Sequence, residues 1–173
     1  MFGPGKSVHI DQSYQTAENT VKYLLPDEAD ELLKKRFQII NVNKYNLFFS
    51  IKFQLRMQSL TSLIQVWRPI KTILRDPLGV ADANSVPESD LVPAARIYPD
   101  RIDETWTIKP NPNHRWYFKY TQQPDEVLFI KCYDSVNDGR AKRIPHSAFS
   151  DPAHDHEPPR ESVEVRTLVF YDE

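Results

Sequence analysis

Short apolar and alternating segments, set apart by turn-forming clusters, dominate this chain. Phe37-Gln38-Ile39-Ile40-Asn41-Val42 is apolar and β-branched, and Thr105-Trp106-Thr107-Ile108 and Arg115-Trp116-Tyr117-Phe118-Lys119-Tyr120 alternate. Glu126 to Tyr133 is an apolar run of strand length, and Ser162 to Tyr171 puts Val163, Val165, Thr167 and Val169 on one face. A period of two with β-branched and aromatic residues marks half-buried strands. The clusters Pro110-Asn111-Pro112-Asn113, Asn137-Asp138-Gly139 and Pro158-Pro159 punctuate them as turns. One segment carries helix signals. Pro26 suits a first turn, acids come next at Asp27, Glu28, Asp30 and Glu31, and Lys34, Lys35 and Arg36 close it. That order complements a helix dipole, and Leu32 and Leu33 supply an apolar side. The pattern predicts a mainly β fold, a jelly roll or sandwich, with one early helix over Asp27 to Lys35 on the outside of a sheet.

Composition narrows the picture. Of 173 residues, 40% are hydrophobic and 27% charged, the balance of one soluble globular domain. The net charge of -2 gives no field that would draw in nucleic acid or an acidic membrane. Fourteen prolines against four glycines favour rigid turns and extended segments over a helical bundle. Cys132 is the single cysteine, so an internal disulfide framework is excluded and a reducing, cytoplasmic setting is expected. Within the run Val127 to Cys132 it reads as a buried packing residue. The start lacks an export signal, and the most apolar stretch, Tyr45 to Ile51, is too short to span a bilayer, which takes about 20 residues.

The candidate chemistry begins at His9-Ile10-Asp11. On a strand, residues i and i+2 face the same way, so an imidazole nitrogen and a carboxylate oxygen point at one spot. A second histidine would complete the two-histidine, one-carboxylate set that holds iron(II) and leaves positions open for oxygen and a chelating cosubstrate. His114, His146, His154 and His156 are the candidates for that role. His146 stands apart because Arg160 lies 14 positions further on, with Ser162 two beyond that. A guanidinium fork grips a carboxylate with two parallel hydrogen bonds and a serine hydroxyl adds a third, which is what the distal carboxylate of 2-oxoglutarate needs. Arg166 shares the face of Arg160 and competes for that role. No Gly-x-Ser-x-Gly elbow argues for a hydrolase.

These residues sit within a longer ordered set: Val8-His9-Ile10-Asp11-Gln12-Ser13, Leu25-Pro26-Asp27-Glu28-Ala29, Trp67-Arg68-Pro69-Ile70, Asn111 to Tyr117, Lys131-Cys132-Tyr133-Asp134-Ser135, Asp138-Gly139-Arg140-Ala141, Pro145-His146 and Pro159 to Arg166. Together they resemble the AsaB-like hydroxylase/desaturase family, found mainly in fungi, which includes gibberellin-desaturase-like proteins and relatives of a cephamycin methoxylase chain. The resemblance runs from about Val8 to Tyr171. It implies an oxidoreductase of secondary metabolism that hydroxylates or desaturates a small-molecule substrate with Fe(II) and 2-oxoglutarate. It carries iron ligation to His9, Asp11 and His146, while Arg160 and Ser162, with Arg166 in competition, remain the candidates that the residues themselves offer for the cosubstrate. The alternative within the same resemblance is a non-catalytic accessory subunit or an inactive fragment of the enzyme.

The resemblance also implies two departures. Residues 1–173 form one oxygenase-like domain whose N-terminal part is missing, and Ile40-Asn41 is separated from Val66-Trp67-Arg68-Pro69-Ile70 where family members run on without a break. The intervening 24 residues, 42–65, open on valine and close on glutamine. Those codons can supply a GT donor and a CAG acceptor, and Leu60-Thr61 can encode a branch point. With no acidic residue among them, they read as a translated intron that forms no integral part of the barrel, the alternative being a genuine surface insertion.

Overall fold

The computed structural model describes residues 4–42 and 67–171. The segment 42–65 read as an insertion lies, apart from the backbone of Val42, outside the described residues. Among the described residues, ten strands form two antiparallel sheets. The larger has the order β5-β6-β1-β9-β4-β7, built from Leu91–Ile97, Ile102–Ile108, His9–Ile10, His146–Ala148, Leu78–Ala81 and Trp116–Phe118. The smaller has the order β3-β10-β2-β8, from Trp67–Pro69, Ser162–Phe170, Phe37–Val42 and Ile130–Asp134. The two enclose one core in which Phe37, Ile39, Trp67, Ile130, Leu168 and Phe170 of the smaller sheet meet Leu78 of the larger and Ile73. This is the expected mainly β jelly roll.

Strand β2 has the bounds the pattern gave, and β10 ends one residue short of them. Strand β7 is three residues long because its flanks are drawn elsewhere: Arg115 binds Asp82, and Thr121 takes a left-handed turn at φ 48°. Strand β8 starts at Ile130 because Glu126 closes a turn, accepting from the Gln123 amide. Strands β4 and β5 carry no sequence signal. Leu78-Gly79-Val80-Ala81 is short, and Leu91–Ile97 holds Pro93, Ala94 and Ala95, poor strand formers, on an exposed edge.

The helices differ from expectation. The segment over Asp27 to Lys35 shrinks to α2, Ala29–Leu32, in which Ala29 and Leu32 are buried, with Leu33 partly buried against the core before the chain turns into β2. The longer helix, α1, is Tyr14–Leu24. Ser13 caps it, its hydroxyl accepting from the Thr16 amide at 3.2 Å, and Thr16, Ala17 and Val21 form its narrow buried face. The Thr16 hydroxyl also accepts from the Glu104 amide at 2.7 Å, and the Ser13 amide donates to the Glu104 carbonyl. These bonds seat α1 on β6 just after the His-x-Asp segment and fix where that segment ends.

Two details of register bear on the site. Ile39 faces Tyr133 and Ile40 faces Lys131, so Cys132 is an extra residue, a β-bulge on β8. Along β10, Val42 faces Val165 and Trp67 faces Glu164; against the segment containing β8, Asn41 faces Ile130 and Trp67 bridges Leu128. Val42 and Trp67 therefore occupy consecutive positions against both neighbours. Among the described residues no helix is long and apolar enough to cross a membrane.

Candidate metal centre

His9 on β1 lies directly opposite His146 on β9, the imidazole centroids 4.6 Å apart. Asp11, one residue past β1, points to the same side. One ligand atom from each of His9, Asp11 and His146 lies within 4.8 Å of the others. The imidazole Nε2 atoms of His146 and His9 lie 3.5 and 3.8 Å from the two Asp11 oxygens. Asp11 and His146 are buried, and His9 is partly open.

The tautomers are set by the backbone. His9 Nδ1 donates to the Ser7 carbonyl at 2.7 Å and His146 Nδ1 to the Ile144 carbonyl at 3.1 Å. A carbonyl only accepts, so each Nδ1 carries the hydrogen and each Nε2 presents its lone pair inward. Such bonds orient ligand imidazoles at metal sites. Two lone-pair nitrogens and one carboxylate, mutually close and largely shielded from water, fit a divalent metal with open positions.

The electrostatics point the same way. Burial alone would raise the Asp11 carboxyl, but the Arg166 guanidinium, the His146 and His9 imidazoles and the Cys132 thiol overcome it and hold Asp11 well below the usual carboxylate range. Burial pushes His146 below its ordinary value although Asp11 pulls it up, which favours the neutral, metal-binding form. Both shifts prepare the ligand states a cation requires.

The other sequence candidates fall elsewhere. His114 is hydrogen-bonded to Asp90 at 2.9 Å and holds a turn with Asn111, away from the triad. His154 pairs with Asp151, and His156 lies near Glu157 on the surface. Arg160 stands just before β10 with its guanidinium 5.1 Å above the Trp67 ring, donating from Nη1 to the Asp76 carbonyl at 2.8 Å. Its Nε is buried without a partner, and burial lowers its pKa to about 10 against the pull of Asp76 and Glu164. Ser162 opens β10 opposite Pro69.

The arginine that touches the triad is Arg166, whose Nη2 lies 2.9 Å from Asp11 Oδ1. A cavity of about 530 Å³ opens at this point, lined by Asp11, Gln12 and Arg166 and rimmed by Lys22, Arg96 and Arg101. Arg160 lines a different, smaller cavity of about 310 Å³ with Lys71 and Glu157. Cys132, expected to be buried packing, is buried, but its thiol also donates to Asp11 Oδ2 at 3.2 Å. The sequence held no sign of that contact, because the bulge that aims Cys132 breaks the alternation by which strands are read.

A two-sheet jelly roll with two histidines and a carboxylate gathered from neighbouring strands defines the mononuclear metal oxygenase class of fold. The solved iron and alpha-ketoglutarate-dependent endoperoxidase NvfI superimposes with a TM-score of 0.77 at 28% identity, over 98% of this chain and 55% of that one. The chain belongs to the family described as the oxidoreductase/YMDC permease-like domain, whose model matches residues 1–44 and 49–170. Among curated proteins it is 39% identical to hydroxylase/desaturase efuI of Hormonema carpetanum, over 98% of this chain and 53% of that protein. It is 41% identical to alpha-ketoglutarate-dependent dioxygenase phiK of a fungal species, over 98% of this chain and 54% of that protein. The resemblance to the fungal hydroxylase/desaturases therefore holds. The chain spans about half the length of the curated relatives it matches.

Proposed function

We propose that this domain binds Fe(II) through His9, Asp11 and His146, takes 2-oxoglutarate, and oxidises a small organic metabolite by hydroxylation or desaturation. The observation that carries the reading is the triad itself, with both Nε2 lone pairs turned on one point beside an ionised carboxylate. Iron(II) held there supplies the oxygen-activating chemistry that either outcome needs. The protein's part is to orient the ligands, favour the neutral form of His146 and limit water.

For the cosubstrate we assign the distal carboxylate to Arg160, with Ser162 beside it on the same strand approach. The support is a desolvated guanidinium whose Nε has no partner and whose Nη1 is spent on one backbone carbonyl. A partly buried cation left in that state gains from an incoming carboxylate. The single thiol, buried and without a disulfide partner, supports a cytoplasmic setting.

Anaerobic titration tests this. Fe(II) should bind with unit stoichiometry, and 2-oxoglutarate should then raise the charge-transfer absorption of a chelated ferrous complex. His146→Ala should lose the metal, and undiminished binding there would sink the triad. Arg160→Lys should weaken 2-oxoglutarate by about tenfold or more while leaving metal affinity intact, since lysine cannot reproduce a two-point grip. Unchanged cosubstrate affinity would remove Arg160 from the role.

A further inference from the structure

The Asp11 carboxylate is held from both of its oxygens by groups on the opposite sheet. Arg166 Nη2 on β10 lies 2.9 Å from Oδ1, and the Cys132 thiol on β8 donates to Oδ2 at 3.2 Å. These strands flank β2 on either side, and Arg166 stands level with Asn41 and Ile130 across the sheet. The two contacts approach from different strands, so together they fix the plane of the carboxylate as well as its position.

We propose that Arg166 and Cys132 are positioning residues for the metal-binding carboxylate, and that Arg166 serves Asp11 rather than the carboxylate of 2-oxoglutarate. The inference rests on the metal site at His9, Asp11 and His146. Three observations support it. First, the same Arg166 nitrogen also lies 3.0 Å from Glu164 Oε1, so this corner of the guanidinium is already shared between two carboxylates. Second, Arg166 and Glu164 face the same way by strand alternation, which makes Glu164 the anchor that sets the guanidinium over Asp11. Third, Cys132 is aimed by a bulge. In a regular strand Cys132 and Tyr133 would face opposite sides of β8, yet both lie in the core. An ionised carboxylate accepts up to about four hydrogen bonds. Two directions are taken by Arg166 and Cys132, and the imidazole Nε2 atoms of His9 and His146 lie 3.8 and 3.5 Å from the same two oxygens. The arrangement presets the ligand before any metal arrives.

The division of labour between the two arginines is open to a direct test in the full chain. Metal affinity is measured with Co(II) alone, by calorimetry and by its visible absorption, with no cosubstrate present. Arg166→Gln should weaken Co(II) by about tenfold or more, the range in which partners of metal ligands act. Arg166→Lys should recover much of that loss, and adding guanidinium ion at low concentration to Arg166→Ala should restore affinity in part. Cys132→Ala should weaken Co(II) several-fold, whereas Cys132→Ser, which keeps a donor, should stay near the parent. On metal-saturated protein, 2-oxoglutarate affinity should be unchanged in Arg166→Lys.

Equal Co(II) affinity in the parent and in Arg166→Gln would overturn the proposal. So would a loss of 2-oxoglutarate affinity in Arg166→Lys with the metal site full. If Arg166→Gln does not fold, Arg166→Lys and the two Cys132 variants decide the matter by the same criteria. A parent chain that binds no Co(II) at all refutes the metal site itself, an outcome distinct from either of these.

Discussion

Asp134 shows what one side chain contributes to this sheet. Its carboxylate is buried at the end of β8, where it accepts from Arg36 at 2.8 Å, Lys131 at 3.0 Å, Gln38 Nε2 and the Val136 amide. Burial would raise its pKa, but these donors lower it below the ordinary 3.8. A depressed native value means the contribution is present above the unfolded pKa and is lost as the pH falls through the native one. Asp134→Asn should therefore lower stability by about 2 kcal/mol at pH 7, in the range of hydrogen bonds to charged groups. The gap to the parent should narrow once the pH drops below 3.8. Urea melts at neutral pH and at a pH below that value check this, and a gap equal at both would show that the carboxylate charge contributes nothing.

Strands β2 and β3 behave as one element. Val42 and Trp67 fill neighbouring positions against β10 and against the segment containing β8, with no slip, although 24 residues, 43–66, stand between them. A slip of one residue would have turned every later side chain to the other face. This continuity supports reading the intervening stretch as an insertion into a strand that is complete without it. Because positions 42 and 66 are both valine, removing 42–65 or 43–66 leaves the same sequence, Ile40-Asn41-Val-Trp67. We propose that the deleted chain keeps its Co(II) affinity and melts at the same or a higher temperature. Closing a loop of that length costs about 3 kcal/mol on the logarithmic scale, which sets the upper limit of the gain. A deleted chain that fails to fold, or folds without binding Co(II), would show the segment to be native structure.

At the scale of the molecule, the triad joins the strands of one sheet while its supporting donors come from the other. His9 and His146 belong to β1 and β9, and Arg166 and Cys132 to β10 and β8. A metal bound only by the folded arrangement must stabilise the whole sandwich by mass action. At a free metal concentration about one hundred times Kd the gain is about 2.7 kcal/mol, or roughly 5–10 °C for a domain of this size. Calorimetric melting with Co(II) should show that rise in the parent and none in His146→Ala. A parent melting point indifferent to metal would mean that the site does not bind it in the folded state.

What the sequence determined by itself was whatever local rules govern. Apolar, β-branched composition marked β2, and alternation marked β10, because a strand with one buried face must repeat every two residues. The His-x-Asp pair was legible for the same reason, since i and i+2 share a side of any strand. Tertiary structure alone decided the rest. Helix α1 left no apolar stripe to read because its buried face is built of Thr16, Ala17 and Val21, small residues that become a docking face only when β6 offers Glu104 to bind. The helix signalled by charge order shortened to α2 because dipole complementarity is weak beside the need to enter β2. Among four histidines, that His146 is the one facing His9 depends on β9 lying next to β1, a pairing between residues far apart in the chain. Arg166 reaches Asp11, and Cys132 reaches its other oxygen, because two sheets face each other and one of them bulges. Contacts across a sandwich leave no period in the sequence, so only the folded chain could supply them.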